Sequence, residues 1–222
     1  GIHRFLSCVI TLLCLAACAN AVTIHSIVIV ADEPAAKHVA EVLKHRIEVR
    51  SQVRCDISTK FEGKPDYWIL LGQAGAPGLI DRAALAHAVG LVGKSRPAPE
   101  GFAVKSVKFP QGEGLLAMGA DQRGVLYAAG EVLRQFQYAP DSISIDAVDV
   151  RTAPAYRFRG SSANQGGTMM KAANARGWTT DELHEVILDY ALAGANCFYT
   201  EDQPGPLYEF VKSFGLMTTC GA

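Results

Sequence analysis

A surplus of charge of either sign is missing from this chain. Twenty-one Lys and Arg stand against 22 Asp and Glu over 222 residues, a formal net charge of −1, and no stretch gathers its basic residues into a stripe. Electrostatic capture of nucleic acid therefore has no footprint here. Cysteine is nearly missing from the body of the chain: of six, Cys8, Cys14 and Cys18 lie in an apolar N-terminal segment, and only Cys55, Cys197 and Cys220 remain. These have neither Cys-x-x-Cys nor Cys/His spacing, which excludes a zinc site and a disulfide framework. Cys197 and Cys220 fall on neighbouring predicted strands, so a bridge between them is geometrically open, but buried free thiols are the expectation. Internal repeats and low-complexity segments are absent. So is a dinucleotide fingerprint: Gly72-Gln73-Ala74-Gly75-Ala76-Pro77-Gly78 follows a predicted strand and precedes a predicted helix. Its glycines are not spaced G-x-G-x-x-G, and Pro77 removes an amide that a phosphate cradle would use. No nucleotide, cofactor or metal is implied.

What is present is ordinary globular material, 49% hydrophobic and 19% charged, enough to bury a core in one or two domains. At the N-terminus, His3 and Arg4 precede an apolar run from Phe5 to Ala19. That run is too short to cross ~30 Å of hydrocarbon comfortably and ends in small residues, so residues 1–21 read as a secretory signal. Two cleavage readings stand: Ala19-Asn20-Ala21 before Val22, and a lipobox-like Leu15-Ala16-Ala17-Cys18 that would make Cys18 a lipid anchor. Export follows from either, to the periplasm, the outside of the cell or the outer membrane. The first residue is Gly, not Met, which suggests a front cut short.

Residues 23–31 are β-branched and apolar enough for a buried strand, and Asp32-Glu33-Pro34 supplies cap and first-turn chemistry for a helix with Ala36, Val39, Ala40, Leu43 and Ile47 on one face. Strands are expected at 53–57 and 67–71, the second ending at Gly72, and a helix at 79–89. A loop at 93–101 leads into a hairpin of 102–109 and 114–119. Asp121 then caps a helix with an apolar stripe from Val125 to Phe136, and 142–151 forms a last strand or connector. This is a small mixed-sheet α/β sandwich over residues 22–150.

From Ala155 the rhythm changes to strand, helix, strand, helix, strand: 156–161, a helix opened by the capping box Thr179-Thr180-Asp181-Glu182 with Leu183, Val186, Ile187 and Tyr190 inward, 196–200, 207–214 and 216–219. Parallel strands joined by helices are the economical arrangement. They read as the opening of a (β/α)8 barrel, which takes about 250 residues to close, so residues 151–222 are expected to be the start of a longer catalytic domain.

Two segments in this order, Asp121-Gln122-Arg123-Gly124-Val125-Leu126-Tyr127-Ala128 and Pro154-Ala155-Tyr156-Arg157-Phe158-Arg159-Gly160, carry a resemblance. It is to the N-terminal accessory domain of bacterial β-N-acetylhexosaminidases and of α-glucuronidases. That domain ends in a helix opened by a similar Asp-x-Arg-Gly-x-x-Tyr-Ala segment and passes through a proline into the Arg-Gly of barrel strand one. The resemblance implies a glycoside hydrolase acting on a polysaccharide or glycan, with Arg159 gripping sugar hydroxyls at a strand end by parallel guanidinium donors. It places Glu201 and Asp202, after the second strand, near the sugar as substrate-binding residues; Asn164 and Asn196 are weaker candidates, and His184 is expected on the solvated side of its helix. Hexosaminidases follow Arg-Gly with Leu-Asp and Arg-His, where this chain has Ser161-Ser162-Ala163-Asn164-Gln165-Gly166-Gly167, which sets it apart from the N-acetylhexosamine enzymes. The family's acid Glu and its neighbouring Asp belong to a fourth strand, so no catalytic residue is assigned within these 222 residues and no turnover by them alone is expected. The alternative is a non-catalytic exported module that binds carbohydrate or an envelope partner.

Overall fold

The computed structural model describes residues 21–75, 77–93, 96–160, 176–199 and 205–219. The sandwich is built on a six-stranded sheet. Strands β2 (Ser26–Val30), β3 (Arg54–Ser58), β4 (Tyr67–Gln73), β5 (Phe102–Phe109), β6 (Gly112–Gly119) and β9 (Asp149–Thr152) lie in the order β3-β2-β4-β6-β5-β9. The first four in that order are parallel, and β5 runs antiparallel to both β6 and β9. Alternation along the strands sorts the side chains onto two faces. Ile27, Ile29, Ile69, Leu71, Val104, Leu115 and Ala117 face helices α1 (Pro34–Ser51) and α3 (Gln122–Gln135). Val28, Val30, Trp68, Leu70, Leu116 and Met118 face α2 (Leu79–Ala86) and Phe61. Because both faces are covered, the central strands read as unbroken apolar runs.

The chain departs from the sequence expectation where it changes sheets. The strand expected over 23–31 breaks at His25 into β1 (Val22–Ile24) and β2, and β1 joins β7 (Gln137–Ala139) and β8 (Ser142–Ile145) in a separate antiparallel sheet of order β1-β8-β7. His25 is pinned at the crossing: its N–H donates to Asp66 Oδ2 at 2.9 Å, and its ring Nδ1 lies 2.9 Å from the Asp141 carbonyl. The expected 142–151 element divides in the same way, into β8 and β9 of different sheets. Asp32 caps α2 and not α1, accepting from the Leu79 N–H at 3.1 Å. Strand β4 runs through Gly72, where a side chain would press on Ile80 of α2, and the chain reverses after it.

Beyond the sandwich, Gly160 pairs in parallel with Cys197, and β10 (Cys197–Tyr199) pairs in parallel with β11 (Met217–Thr219). Helix α4 (Thr180–Leu192) precedes β10, and α5 (Pro206–Ser213) connects β10 to β11. This is the opening of a barrel-type repeat, with the expected capping box present at Thr179 and Glu182. Of the strand expected over 156–161, Gly160 is the residue that pairs among the described residues, and the Arg159 carbonyl accepts from the Asn196 N–H at 2.9 Å. The buried stripe of α4 is Leu183, Ile187, Leu188, Ala191 and Leu192, which leaves Tyr190 41% exposed and not inward. His184 is likewise not simply solvated: its ring stacks on Phe210 of α5, centroids 3.8 Å apart and 4° from parallel. Cys55 and Cys197 are free thiols, and Cys220 lies outside the described residues. Among the described residues no helix is long and apolar enough to cross a membrane.

Helix α3 forms the seam between the two parts. It is apolar almost all round because it lies between the sheet and α4, and Gly130 permits that closeness: a Cβ there would collide with the Leu192 carbonyl oxygen. Arg134 of α3 donates to that same carbonyl at 2.9 Å, and Arg46 of α1 pairs with Glu185 (2.6 Å) and Asp189 (3.1 Å) of α4.

Candidate functional site

The two segments that carried the resemblance converge on one residue outside both of them, Glu100. It sits in the loop before β5, 6% exposed, with a left-handed backbone (φ 58°) that a non-glycine residue adopts only when its surroundings hold it there. Asp121 does part of the holding: its Oδ1 accepts from the Gly124 N–H (2.8 Å), capping α3, while its Oδ2 accepts from the Glu100 N–H (2.9 Å). The carboxylate of Glu100 is thereby aimed at two guanidinium groups. Arg123 Nη1 reaches Oε1 at 2.8 Å, and Arg159 Nη2 donates to Oε2. Asn196, fully buried, donates through Nδ2 to both carboxylate oxygens (3.0 and 3.1 Å) and to the Arg157 carbonyl (2.8 Å), and its Oδ1 accepts from the Arg159 N–H (2.8 Å).

Arg159 is engaged on almost every side. Besides Glu100, it donates through Nε to the Gly194 carbonyl (2.7 Å), through Nη1 to the Tyr156 carbonyl (2.6 Å) and through Nη2 to the Tyr127 hydroxyl (3.1 Å), with its guanidinium 5.3 Å from the Tyr127 ring centroid. Tyr127 in turn donates to the Ala195 carbonyl at 3.3 Å. Three carbonyls at the C-terminal end of α4, those of Leu192, Gly194 and Ala195, thus receive Arg134, Arg159 and Tyr127, the polarity a helix C-terminus favours. Burial, followed by the negative charge of Glu100, pushes the Tyr127 phenol up to about 12, so it remains a neutral donor. One carboxylate is shared by two guanidiniums and a buried amide, so the buried negative charge is fully partnered while the set as a whole stays positive. Removing one partner of such a set costs about 3–5 kcal/mol.

The parallel pairing fixes which end of the strands this cluster occupies. Arg159 precedes Gly160, and Asn196 precedes Cys197, so the cluster lies at the N-terminal ends of the barrel-type strands, against the sandwich. Sequence reading put Arg159 at a C-terminal strand end; the register of Gly160 on Cys197 moves it to the other end, and its donors face protein acceptors. Glu201, Asp202 and Asn164 lie outside the described residues. Asn196, a weak sugar-ligand candidate, is instead the residue that ties Glu100 to both strand starts. Glu100 itself was missed; the only signal was an acid flanked by Pro99 and Gly101 in a loop that must turn sharply into β5.

The glycine-containing loop after β4 is no phosphate cradle. The Gly75 and Leu79 amides are already taken by the carboxylates of Asp81 (2.9 Å) and Asp32 (3.1 Å), which would repel an anion. Among the described residues, no group of three or more His, Cys, Asp or Glu side chains could hold a metal ion.

No family model matches the sequence, and no curated protein matches it. Solved structures do. BtGH115A, a family GH115 4-O-methyl-α-glucuronidase with specificity for decorated arabinogalactans, superposes with a TM-score of 0.65 at 13% identity, over 91% of this chain and 29% of its own. CpGH84B superposes with a TM-score of 0.58 at 12% identity, over 90% of this chain and 34% of its own. An N-acetyl-β-hexosaminidase of Streptomyces plicatus gives 0.53 at 12% identity, over 90% and 42%. The chain therefore spans between about three tenths and two fifths of these structures. At such identities the likeness is one of fold: the mixed α/β sandwich followed by the start of a parallel β/α unit is an architecture found in glycoside hydrolases of groups GH115, GH84 and GH20.

Proposed function

We propose that this chain is the leading part of an exported glycoside hydrolase: a sandwich that docks and orients the first strands of a (β/α)8 barrel whose substrate is a glycan. The observation that supports this most strongly is that the likeness to the three hydrolases runs across the junction, over about nine tenths of the chain, and is not confined to the sandwich. In parallel β/α barrels the chemistry sits at the C-terminal strand ends. The cluster at Glu100 occupies the opposite end, so its role is to set strand position, and the C-terminal strand ends stay free for substrate. Glu201 and Asp202 follow β10 in the chain and are the proposed sugar-binding residues, as carboxylate acceptors for hydroxyls. Arg159 contributes by positioning the first strand. The acid and the nucleophile, or its substrate-borne equivalent, are assigned to later strands.

The test is expression of the open reading frame through and beyond residue 222, with an assay on chromogenic uronides and N-acetylhexosaminides. Turnover that vanishes when a fourth-strand carboxylate is replaced supports the proposal. A frame that continues without paired carboxylates, or an extended protein inert on every glycoside, overturns it. Export is tested by fusing residues 1–30 to a periplasm-dependent reporter, with Cys18→Ala separating lipidation from cleavage after Ala21.

A further inference from the structure

Beside Glu100 lies a cleft of about 600 Å³ whose walls include Arg123, Arg157, Arg159, Tyr156 and Pro154. Three arginines line it, and Glu100, the one acid on its walls among the described residues, answers Arg123 and Arg159 with a single negative charge. Arg123 uses only Nη1 for that pair and keeps its side chain 25% exposed; its Nε and Nη2 hydrogens have no acceptor among the described residues. Arg157, whose guanidinium rests 5.2 Å from the Phe158 ring centroid, makes no ion pair among the described residues. The next acid along the chain, Asp121, has both oxygens turned to the Gly124 and Glu100 amides. Arg123 also stands in the first turn of α3, where the helix adds positive potential. The cleft's walls thus carry an excess of positive charge, and the guanidinium fork matches an oxyanion. Tyr156, 76% exposed on the wall, offers a flat apolar face to the ring that carries the anion.

We propose that this cleft binds a small oxyanion, either free phosphate or the carboxylate of an acidic sugar. Met217, the first residue of β11, also lines it, so the cleft opens at the N-terminal strand ends, away from the proposed glycan site. A volume of this size accommodates a single sugar or a disaccharide. The site is read by binding and not by turnover, so it stands or falls independently of the hydrolase proposal.

The experiment is a thermal-unfolding titration of the whole chain with sodium phosphate, sodium glucuronate, glucose and sodium chloride at matched ionic strength, beside Arg157→Ala and Arg157→Glu. Arg157 lies outside the Glu100 ion pairs, so both variants should fold. Saturable stabilisation by phosphate alone assigns free phosphate, and by glucuronate alone an acidic sugar; either upholds the site. Arg157→Ala should weaken that binding about tenfold, the loss of one charge-assisted contact, and Arg157→Glu should abolish it. Equal shifts with chloride or glucose, no saturable shift with either anion, or full affinity in Arg157→Glu would overturn the proposal.

Discussion

Replacing Glu100 by Gln is the sharpest perturbation of this molecule, because it removes one charge while keeping shape. The wild-type carboxylate is 7% exposed and faces Arg123 and Arg159, whose side chains are 25% and 20% exposed. Gln keeps one acceptor, so one guanidinium retains a neutral hydrogen bond, but two positive charges are left facing each other without an anion. Stranding a buried ionic partner costs about 3–5 kcal/mol. Partial exposure of both arginines places the expected loss near the lower figure, about 3 kcal/mol, against a typical domain stability of about 5–15 kcal/mol. Urea unfolding followed by fluorescence measures the total, and amide hydrogen exchange shows where it falls. Protection should drop at Arg159, Asn196 and Met217, whose N–H groups bridge the strand starts, and persist at Ile69 and Leu115 in the centre of the sheet. The exposed pair Lys60–Glu62 provides the control, since Glu62→Gln should change stability by less than about 0.5 kcal/mol. A loss below about 1 kcal/mol in Glu100→Gln, or an exchange change spread evenly over the sheet, would refute the assignment of Glu100 as the residue that holds the junction.

Asp121→Ala removes the acceptor for both the Gly124 and Glu100 amides and should cost about 2 kcal/mol, measured as a lower urea midpoint with unchanged slope. Gly130→Ala forces a methyl into the Leu192 carbonyl and should separate α3 from α4 at a cost of about 1–3 kcal/mol, despite alanine's better helix propensity; a stabilised variant would show the helices to be farther apart than described. Tyr127→Phe removes the hydroxyl between Arg159 and Ala195 and should cost about 1 kcal/mol at neutral pH. It should also flatten the alkaline limb: a phenol raised from 10 to about 12 in the folded state contributes stability below pH 10 that is lost as pH rises through 12, so urea midpoints should fall over that window and fall less in the variant. Tyr67, raised to about 12 by burial, and Cys55, raised from 9 to about 12 by burial, act in the same direction and retain part of the slope.

What could be read from the sequence is what local rules determine. The Asp121 cap, the Thr179–Glu182 capping box and the apolar faces of α1 and α3 depend on residues three or four apart, and all formed as expected. The hairpin of β5 and β6 was legible for the same reason. Sheet membership was not: nothing within residues 22–31 says that Val22–Ile24 will pair with β8 while Ser26–Val30 pairs with β3 and β4, because the switch rests on Asp66 and Asp141, far along the chain. The stripe of α4 was misjudged by a fraction of a turn. Leu183 and Ile187 are common to the expected and the observed faces, and the choice between Tyr190 and Leu188 or Ala191 depends on how closely α3 approaches, which Gly130 decides. Glu100 left only its place between Pro99 and Gly101 as a local signal, since its partner Arg159 is 59 residues away.

The placement of Arg159 carries a consequence for how a sandwich of this kind works. A guanidinium at the head of a strand can serve a ligand only if its donors are unclaimed, and here Glu100, Tyr127, Gly194 and Tyr156 claim them. The same contacts join four segments far apart in the chain: the loop before β5, helix α3, and the starts of two parallel strands. A binding module tethered to a barrel would be expected to meet it through a solvated, polar surface of exchangeable contacts. This junction instead buries an ion cluster, shares a hydrophobic core between α1, α3, α4 and α5, and brings α3 against α4 at backbone distance. Glu100 is tied to Arg159 and Asn196, the residues that immediately precede the paired Gly160 and Cys197. Register sets which face each successive side chain of a strand takes, because successive positions alternate between faces. The sandwich is therefore part of the frame that places these parallel strands, and the geometry of any site built at their C-terminal ends begins at Glu100.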